Sequence, residues 1–516
     1  MLSYKLWIAF AGVLVVLLAL AFFLFPFSTQ STPLQRLNPA NAMPLLETQV
    51  LELKDGQKVE LSAGTVEHSL NGQKFYGYAY NQQFPGPVWK VQKGASLRVH
   101  FTNDLDVSTT VHWHGLRLKN EFDGVPMVTQ PEVQPGQSFD YELVFPDEGL
   151  FWYHPHVRED VQQERGLYGT ILVESQETQA LPVQKEVLVL DDVLMESGEL
   201  VPFENRANFA LMGRYGNVML VNGKAEYALR AVQGERVRLH VLNASNARPF
   251  SLAIPNTQFK VLGSDAGFYA QPFFADHLVL GPSERAIVEV LFEEAGEYKL
   301  FNSTPVTQYT LGTIRVASSA TPMEGLMESF SSLSANIISM QEYASLQAFT
   351  NSPYDFEYEL TLDWKPMSGM HGPAMMNSMH SFEDGIEWED AMAYMNGFTT
   401  SDDVTWIIRD PLTKKQNMDL TRTVKKGELK KIRFKNLDDS PHPMNHVIHV
   451  HGNRFVVLSV DGKPNERLVW KDSALIPAGA TMDVLVEFSN PGTWMVHCHN
   501  AEHLESGMMT QILVAE

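Results

Sequence analysis

The sequence is poor in cysteine and in positive charge. Its 516 residues include one cysteine, Cys498, which excludes an intrachain disulfide framework and a zinc cluster built on cysteines. The 39 Lys and Arg residues are outnumbered by 61 Asp and Glu residues, and the formal net charge is -22. A nucleic-acid binder is therefore not expected, because phosphate contacts require clustered basic side chains.

Hydrophobic residues make up 44% of the chain and charged residues only 19%, so the protein can bury a sizeable core and is not mainly disordered. The length suits three or four domains of roughly 100–200 residues. Histidine and methionine are plentiful, with 17 and 22 residues. Because imidazoles and thioethers bind transition metals, the composition already indicates soft-metal chemistry.

The N-terminus carries an uncharged apolar run from Leu6 to Phe27. The run is long enough to cross a bilayer, which takes about 20 residues, and no small-x-small cleavage site follows it directly. An uncleaved anchor is therefore favoured over a cleaved signal peptide. Lys5 before the run favours a cytoplasmic N-terminus. We predict an anchor or uncleaved signal at 1–28, a linker at 29–48, and a single-pass protein of the cytoplasmic membrane whose body is periplasmic or extracellular.

Beyond residue 48, short β-branched and aromatic runs alternate with Gly, Pro, Asn and Asp, which predicts many β-strands. One pattern occurs three times. It consists of an Asn-Gly pair, a Gly followed nine residues later by Asn, and a Gly followed five residues later by His or Phe. The positions are Asn71, Asn222 and Asn396; Gly94–Asn103, Gly234–Asn243 and Gly427–Asn436; and His154, Phe301 and His497. We predict three similar β-sandwich domains, of which the middle one lacks the histidines.

Four His-x-His pairs stand in the first and third copies: His112/His114, His154/His156, His449/His451 and His497/His499. On a β-strand, residues i and i+2 point to the same side with Cα atoms roughly 6–7 Å apart. Each pair can therefore supply imidazoles to two neighbouring ions of copper, zinc, iron or nickel. Eight such histidines could enclose about three ions.

Cys498 lies between two of these histidines, so its side chain must point to the opposite side of the same strand. There it could join His446, His503 and a weak axial ligand, Met508. Two histidines, one cysteine and a distant methionine describe a blue-copper electron-transfer site. One strand would then connect an electron-accepting copper to a buried copper cluster.

Four motifs resemble the copper motifs of the multicopper oxidase family, which includes laccases, ascorbate oxidases and bacterial cuprous oxidases. They are H-W-H-G (112–115), W-Y-H-P-H (152–156), H-V-I-H-V-H-G (446–452) and H-C-H-N-A-E-H-L-E-S-G-M (497–508). The implied fold is all-β, with three consecutive cupredoxin-like Greek-key β-sandwich domains after the N-terminal transmembrane helix. The predicted ranges are 49–176 for domain 1, 177–320 for domain 2 without copper ligands, 321–356 for a linker, and 357–516 for domain 3 with a Met-rich insert at 366–395.

The resemblance also implies four copper ions and their ligands. The type-1 copper is assigned to His446, Cys498, His503 and Met508, with Met509 as the adjacent competitor, and the type-2 copper to His112 and His449. The type-3 pair is assigned to His114, His154 and His499 on one ion, and His156, His451 and His497 on the other. The implied reaction is four one-electron oxidations of a reductant, coupled to reduction of O₂ to two waters.

Protons must reach such a cluster, and three acidic residues are candidates. Asp123 stands at the place of the family's acidic residue near the type-2 copper, although Asp123-Gly124 is also a turn signal. Many bacterial members have an acidic residue directly after the second type-1 histidine, where this chain has Leu504. Glu502 or Glu505 could replace that proton donor.

A methionine-rich segment lies near the start of predicted domain 3. Its seven methionines are Met367, Met370, Met375, Met376, Met379, Met392 and Met395. Thioethers prefer Cu(I), and cuprous oxidases resemble this chain in placing a Met-rich insert over the type-1 site. We predict a surface that acquires Cu(I); the alternative is a hydrophobic lid that only fills space or restricts access.

The resemblance thus favours a copper-tolerance metallo-oxidase that uses O₂ and Cu(I) and is attached to the cytoplasmic membrane by its N-terminal helix. One alternative is a laccase-like oxidase of small aromatic reductants, phenols or aromatic amines, which an open type-1 edge would favour. Another is a non-enzymatic envelope protein that keeps the cupredoxin shell. Such relatives lose copper ligands, and here none is lost. A copper nitrite reductase would have two cupredoxin domains and lack the eight-histidine set.

Overall fold

The computed structural model describes residues 37, 39–319, 324–365 and 384–516. Within these residues the chain consists mainly of β-strands, which form three pairs of packed sheets, here called sandwiches 1, 2 and 3. All the strands belong to one compact unit made of Leu37–Val201 and Arg206–Glu516.

Sandwich 1 contains strands β1 to β10. In one sheet β3 pairs with β1, β4 and β6, and β6 pairs with β8; the other sheet has the order β2-β5-β10-β9-β7. The strands are β1 Met43–Pro44, β2 Val50–Leu53, β3 Gln57–Leu70, β4 Gln73–Tyr80, β5 Val88–Gln92, β6 Ser96–Asn103, β7 His112–His114, β8 Ser138–Val144, β9 Gly149–His154 and β10 Gly169–Glu174.

Sandwich 2 contains strands β11 and β14 to β23, and a small hairpin formed by β12 and β13. Its sheets have the orders β14-β11-β16-β21-β18-β19 and β15-β23-β22-β17-β20. The strands are β11 Gln184–Val193, β12 Met195–Glu196, β13 Glu199–Leu200, β14 Val218–Val221, β15 Tyr227–Val232, β16 Arg236–Asn243, β17 Phe250–Ala253, β18 Phe259–Ser264, β19 Gly267–Ala275, β20 His277–Leu280, β21 Arg285–Leu291, β22 Gly296–Ser303 and β23 Gln308–Ala317.

Sandwich 3 contains strands β24 to β34. Its sheets have the orders β25-β24-β27-β32-β29-β30 and β26-β34-β33-β28-β31, the second arranged like the β15-to-β20 sheet of sandwich 2. The strands are β24 Phe356–Trp364, β25 Val404–Arg409, β26 Thr421–Lys425, β27 Glu428–Asn436, β28 His446–Val450, β29 Arg454–Val460, β30 Lys463–Pro464, β31 Ser473–Ile476, β32 Thr481–Phe488, β33 Gly492–Cys498 and β34 Met509–Ala515.

The helices of the described residues are short. The α-helices are α1 Glu159–Gln162, α2 Gln176–Gln179, α3 Glu324–Ser331, α4 Ile337–Ala344, α5 Ala393–Asn396 and α6 Ala501–Glu505, and the 3₁₀ turns are Pro39–Asn41, Asn120–Phe122, Leu346–Phe349 and Asn417–Asp419. In none of them are both the length and the apolar composition sufficient to cross a bilayer. The predicted anchor at 1–28 lies outside the described residues.

Burial follows the position of each strand in its sheet. In β15 the side chains alternate between buried and exposed, as expected for a strand with one face in the core. Every residue of β21 is buried; β21 is central in its sheet and also contacts β9 of sandwich 1. Each sandwich has a core of aliphatic and aromatic side chains, and the cores of sandwiches 1 and 3 extend to residues of a neighbouring sandwich.

A buried asparagine ends the corresponding strand of each sandwich: Asn103 in β6, Asn243 in β16 and Asn436 in β27. Each side-chain amide donates to carbonyl groups of the loop that precedes β7, β17 or β28. The acceptors in these loops are Val107 at 2.8 Å, Arg248 at 2.8 Å and Met444 at 2.8 Å. The Gly-to-Asn spacing in the sequence therefore marks a strand whose last residue positions the next loop.

Two features of the fold add detail to the predicted start of domain 1 and to the predicted linker at 321–356. Strand β1 precedes residue 49, the predicted start of domain 1, and pairs with β3. The predicted linker at 321–356 contains α3 and α4, and Tyr343 of α4 donates its hydroxyl to the carbonyl of Phe268 at 3.1 Å. Part of this segment is therefore packed against sandwich 2.

Candidate metal centre

Paired strands bring the four His-x-His pairs together. In sandwich 1, β7 pairs with β9 so that His112 lies opposite His154. In sandwich 3, β28 pairs with β33 so that His449 lies opposite His497. The eight-histidine cluster consists of the buried residues His112, His114, His154, His156, His449, His451, His497 and His499.

The cluster contains three groups of three histidines, two of which share His114, and within each group one nitrogen atom per ring lies within 4.8 Å of the others. The groups are His112/His114/His449, His114/His154/His499 and His156/His451/His497. The second and third contain the same residues that the family resemblance implies for the type-3 pair, and the first contains both residues implied for type 2. The assignment of copper types stays a prediction.

Several ring nitrogens in the cluster have no hydrogen-bond partner among the described residues. They are Nε2 of His112, His156, His449 and His499. In addition, Nε2 of His451 and Nε2 of His497 face each other at 2.9 Å. Buried polar atoms are normally paired, so converging bare imidazole nitrogens fit a bound transition-metal ion.

Backbone carbonyls fix the protonation of four of these rings. A carbonyl oxygen can only accept, so each Nδ1 atom that contacts one must carry the hydrogen, which leaves Nε2 free to bind a metal. The pairs are His112 with Asp123 at 2.7 Å, His154 with Pro155 at 2.9 Å, His449 with Asp472 at 2.8 Å and His497 with Cys498 at 2.8 Å.

His114 is oriented the other way round. Its Nε2 lies 3.0 Å from a carboxylate oxygen of Asp472 and 3.0 Å from the hydroxyl of Ser473. Its Nδ1 lies 3.4 Å from Nε2 of His154. The carboxylate of Asp472 therefore accepts a hydrogen bond from Nε2, which leaves Nδ1 as the atom of this ring that could bind a metal.

Burial favours the neutral imidazole in seven histidines of the cluster. It is the largest cause lowering the pKa values of His114, His154, His156, His449, His451, His497 and His499, that of His497 to about 4. Neutral imidazole is the form that ligates metals. At neutral pH these rings are therefore ready to bind without first losing a proton.

Asp123 is a buried member of this centre. Its carboxylate accepts a hydrogen bond from Nδ1 of His451 at 2.9 Å and lies 3.4 Å from Nδ1 of His112. The adjoining turn depends on Gly124, which has φ +83, and a Cβ there would collide with the carbonyl of Val111. Asp123 thus contacts the histidines of both sandwiches, and a role in proton transfer stays a prediction.

Cys498 points to the other side of β33, into the core of sandwich 3. Its Sγ lies 3.6 Å from Nδ1 of His446 and 3.8 Å from Nδ1 of His503, and those two nitrogens are 3.3 Å apart. Burial raises the pKa of the Cys498 thiol to about 12. A thiolate would therefore form here only against a cation, as a metal provides.

The backbone distinguishes Met508 from Met509. The amide of Cys498 donates to the carbonyl of Met508 at 3.0 Å, and the amide of Met508 donates to the carbonyl of His503 at 3.0 Å. Met508 shares the sandwich 3 core with Cys498, whereas Met509 packs against a separate small cluster around Leu504. The position of Met508 suits an axial ligand, and that of Met509 does not.

Both histidines beside Cys498 are shielded from solvent: His446 is 1% exposed and His503 is 0% exposed. Trp406 of β25 stacks on the ring of His503, with centroids 4.1 Å apart and planes at 29°. The indole N–H of Trp406 is held by the carbonyl of Ala210 from sandwich 2 at 2.8 Å.

The predicted proton donors of the last motif, Glu502 and Glu505, both lie in α6. Glu502 is buried and accepts a hydrogen bond from the amide of Asn246 at 3.0 Å, while Glu505 accepts from the backbone N–H of Glu159 at 2.9 Å. Burial raises the pKa values of both Glu502 and Glu505 to about 7. Leu504 is buried in an apolar cluster with Val125.

Glu159, which sequence reasoning missed, lies next to the cluster. One carboxylate oxygen is 3.8 Å from Nδ1 of His154 and 3.6 Å from Nδ1 of His499. Neither oxygen has a hydrogen-bond partner among the described residues. Burial, and then the neighbouring carboxylates, raise its pKa well above the usual range. A possible signal was its position three residues after His156, at the start of α1.

The predicted Cu(I) surface is only partly described. Met367, Met370, Met375, Met376 and Met379 lie outside the described residues. Met392 is 6% exposed and belongs to the sandwich 3 core, and Met395 is partly buried against it. The prediction of a surface role is therefore wrong for Met392, whose flexible apolar side chain serves to fill the core.

Family models described as multicopper oxidase match three parts of the chain: residues 63–178, 192–320 and 392–516. The matched parts include every member of the eight-histidine cluster, together with His446, Cys498, His503 and Met508. The predicted middle domain, without histidine ligands, corresponds to the match at 192–320.

Individual proteins support the same relationship. A multicopper oxidase of Staphylococcus aureus is 26% identical over 447 residues, covering 85% of this chain and 83% of the relative. The crystal structure of a multicopper oxidase from Pseudomonas thermotolerans is 27% identical, with a TM-score of 0.66 and coverage of 91% of this chain and 100% of that one. A Campylobacter jejuni multicopper oxidase described as a metallo-oxidase has a TM-score of 0.69 at 21% identity, covering 95% and 99%, which bears on the fold alone. The mostly β structure and these neighbours fit the predicted cupredoxin-like domains.

Proposed function

The chain belongs to the multicopper oxidase family, and we propose that within this family it is a metallo-oxidase that oxidises Cu(I). As a member it is a copper-dependent oxidoreductase with O₂ as the electron acceptor. The proposed overall reaction oxidises four Cu(I) ions to Cu(II), and consumes one O₂ and four protons to form two waters.

The observation that carries the oxidase mechanism is the position of Cys498 between the two sites. Its side chain belongs to one group of ligands, and its chain neighbours His497 and His499 belong to the cluster on the other side of the strand. An electron accepted at the Cys498 group therefore reaches the cluster through a few covalent bonds. Bound copper supplies reversible one-electron chemistry, which a four-electron reduction of O₂ by a one-electron donor requires.

We assign four copper ions to these ligands. His446, Cys498, His503 and Met508 would hold the type-1 ion, and His112 with His449 the type-2 ion. The type-3 ions would be held by His114, His154 and His499, and by His156, His451 and His497. The groups of nitrogen and sulfur atoms within 4.8 Å of one another support this division for the histidines and Cys498.

Three observations favour Cu(I) over an aromatic reductant. An aromatic ring would need contact with a type-1 imidazole, and both imidazoles are buried beneath neighbours that include Trp406. The formal net charge of -22 attracts cations. The sequence also places five methionines between Met367 and Met379, and thioethers are soft ligands for Cu(I).

Carboxylates lie on two sides of the cluster and provide routes for protons. Asp123 contacts His451. On the other side, Glu505 is hydrogen-bonded to the backbone of Glu159, whose carboxylate is beside His499. We propose that protons enter through Asp123 and through the Glu505–Glu159 side, with Glu502 as a further candidate. Burial raises the pKa values of Glu502 and Glu505 to about 7, which suits these two carboxyl groups to proton exchange at neutral pH.

Rapid O₂ uptake with Cu(I) and little uptake with a phenol is the expected result for the copper-loaded, full-length protein in detergent. Cu(I) would be supplied as a stabilised complex, and uncatalysed autoxidation would be subtracted with the Cys498→Ser variant. Replacing Met367, Met370, Met375, Met376 and Met379 with leucine should lower kcat/KM for Cu(I) by at least about tenfold, the effect of losing about 1.4 kcal/mol of substrate interaction.

The same leucine variant should leave phenol oxidation and the copper content unchanged, since the substituted residues are not among the assigned ligands. Faster uptake with phenol than with Cu(I), unaffected by the five substitutions, would instead identify a laccase-like oxidase. No uptake with either reductant, from protein that contains four coppers, would contradict the oxidase mechanism.

A further inference from the structure

Sandwich 2 has none of the assigned copper ligands, yet one of its side chains reaches the other two sandwiches. Arg285, the first residue of β21, is 0% exposed. Its Nε donates to the carbonyl of Leu150 in β9 of sandwich 1 at 2.8 Å. Its two terminal nitrogens donate to the two carboxylate oxygens of Asp472 in sandwich 3, at 2.6 Å and 2.5 Å. This bidentate geometry fixes the carboxylate in one orientation.

Asp472 in turn touches two histidines of the cluster. Its carboxylate accepts a hydrogen bond from Nε2 of His114 at 3.0 Å, and its carbonyl accepts from Nδ1 of His449 at 2.8 Å. These two bonds leave Nδ1 of His114 and Nε2 of His449 as the atoms that can bind metal. The two rings also stack, with centroids 3.7 Å apart, so a shift of Asp472 would move both.

Sandwich 2 also contributes an acidic residue, Asp265, which holds the backbone around Asp472. Asp265 accepts hydrogen bonds from the backbone N–H groups of Asp472 at 3.2 Å, of Ser473 at 3.4 Å and of Arg285 at 2.9 Å. Lys471 lies 3.2 Å from Asp265 and balances its charge. The segment that carries Asp472 is therefore held by both its backbone and its side chain.

The first copper motif leaves room for this arrangement. Gly115 follows His114 directly and has φ +83, and a Cβ there would collide with the carboxylate of Asp472 and lie 2.9 Å from a terminal nitrogen of Arg285. The glycine of H-W-H-G is thus in contact with an ion pair that comes from the other two sandwiches. The close approach of Gly115 to Asp472 and Arg285 is an observation separate from the hydrogen bonds between Asp472 and the histidines.

We propose that Arg285 is a positioning residue for the copper cluster. By clamping the carboxylate of Asp472 it sets the orientation and the protonated nitrogen of His114, and the stacked ring of His114 in turn supports the orientation of His449. The ligand-free sandwich 2 is thus required for copper to bind correctly between sandwiches 1 and 3. The inference rests on the proposed assignment of these histidines as copper ligands, but not on the identity of the reductant.

The test compares the full-length variants Arg285→Gln and Arg285→Lys with the wild-type protein after copper loading. Copper per chain, the blue type-1 absorption and the electron paramagnetic resonance signal of type-2 copper are measured, along with O₂ uptake. We expect Arg285→Gln to lower copper affinity of the cluster by about 10–100-fold, as removal of a partner of a metal ligand does. The type-2 signal should weaken or change shape while the blue absorption stays, and Arg285→Lys should be intermediate because it keeps the charge without the bidentate geometry.

Arg248 supplies the matched control. It is also a buried arginine of sandwich 2, and it pairs with Asp192 at 2.6 Å and with Glu389 of sandwich 3 at 2.9 Å. Arg248→Gln and Arg248→Lys should keep the full copper content and an unchanged type-2 signal, even where stability falls. If they lost type-2 copper as readily as the Arg285 variants, a general weakening of the fold would be the cause and the proposal would be overturned.

An unchanged type-2 signal and wild-type copper content in Arg285→Gln would also overturn it. Should that variant not fold, Arg285→Lys and Asp472→Asn give the same comparison, and intact copper in both would be equally decisive. The wild-type protein separates this inference from the proposed function. A wild-type chain that binds no copper refutes the ligand assignment, whereas a wild-type chain that binds copper but prefers phenol refutes only the substrate.

Discussion

Replacing Cys498 with serine is expected to abolish the blue absorption of the copper-loaded protein and to lower O₂ uptake by at least about 100-fold. Mutating a residue that is only hydrogen-bonded to a metal ligand already lowers metal affinity or activity by about 10–100-fold, and Cys498 is itself an assigned ligand. A hydroxyl group lacks the soft thiolate character of the type-1 ligand. His446 and His503 would remain beside it, and so would every histidine of the cluster. We therefore expect the loss of one copper per chain rather than of all.

The measurement combines copper analysis, the visible spectrum and O₂ uptake with Cu(I). Met509→Leu is the matched control: Met509 is the neighbour of Met508, packs on the opposite side of the strand, and tolerates a substitution of similar volume. It should keep both the blue colour and the activity. A Cys498→Ser protein that still consumed O₂ at the wild-type rate would show that electrons enter the cluster by another route.

Asp123→Ala should lower O₂ uptake by about 10–100-fold while leaving the blue absorption unchanged. The carboxylate of Asp123 accepts a hydrogen bond from Nδ1 of His451 and lies beside His112, so its removal frees rings of both sandwiches. Mutating a hydrogen-bond partner of a metal ligand typically lowers activity by about 10–100-fold. Asp123→Asn separates positioning from proton transfer. An amide oxygen still accepts from His451, but it cannot take up and release protons.

If Asp123 only positions the rings, Asp123→Asn should be much less damaging than Asp123→Ala; if it transfers protons, the two should be similarly slow. Asp140→Asn is the control, since Asp140 also pairs with a histidine of sandwich 1, His100, at 2.7 Å, but its side chain is 79% exposed. That change should have little effect. Normal activity in both Asp123 variants would place the proton route elsewhere and favour the Glu505–Glu159 side.

Local patterns were enough to predict which histidines share a strand face, because strand geometry is local. Residues two apart on a strand share a side, so the His-x-His pairs could be recognised without knowing how the strands pair. The same rule placed Cys498 opposite His497 and His499. Pairing then decided what the rule could not, namely that His112 lies opposite His154 and His449 opposite His497.

Long-range contacts were out of reach of such patterns. Arg285 and Asp472 are separated by 187 residues, and a lone arginine in a strand of the second copy carries no signal of a partner in the third. Glu159 was missed for a related reason. It follows the second motif in sequence, but its relevance depends on the ring of His499, which belongs to a different sandwich.

The methionine-rich composition of residues 367–395 does not predict the position of Met392 correctly. Met392 was grouped with the methionines before it because all seven fall in one stretch, although thioethers serve apolar cores as readily as they bind copper. The structure places Met392 in the sandwich 3 core. Spacing within a methionine-rich stretch does not distinguish these uses, since both require only a soft, flexible side chain.

The cluster joins parts of the chain that are far apart, as the contact between His114 and Asp472 across 358 residues shows. Metal bound there closes a very long loop, and such closures restrict the unfolded chain. A chain with one cysteine cannot form that kind of cross-link from its own thiols. Bound copper would then serve as the cross-link of this chain, and its resistance to heat and to proteases should increase with the copper concentration. A chain without copper would lose the cross-link between sandwiches 1 and 3 as well as its catalytic metal.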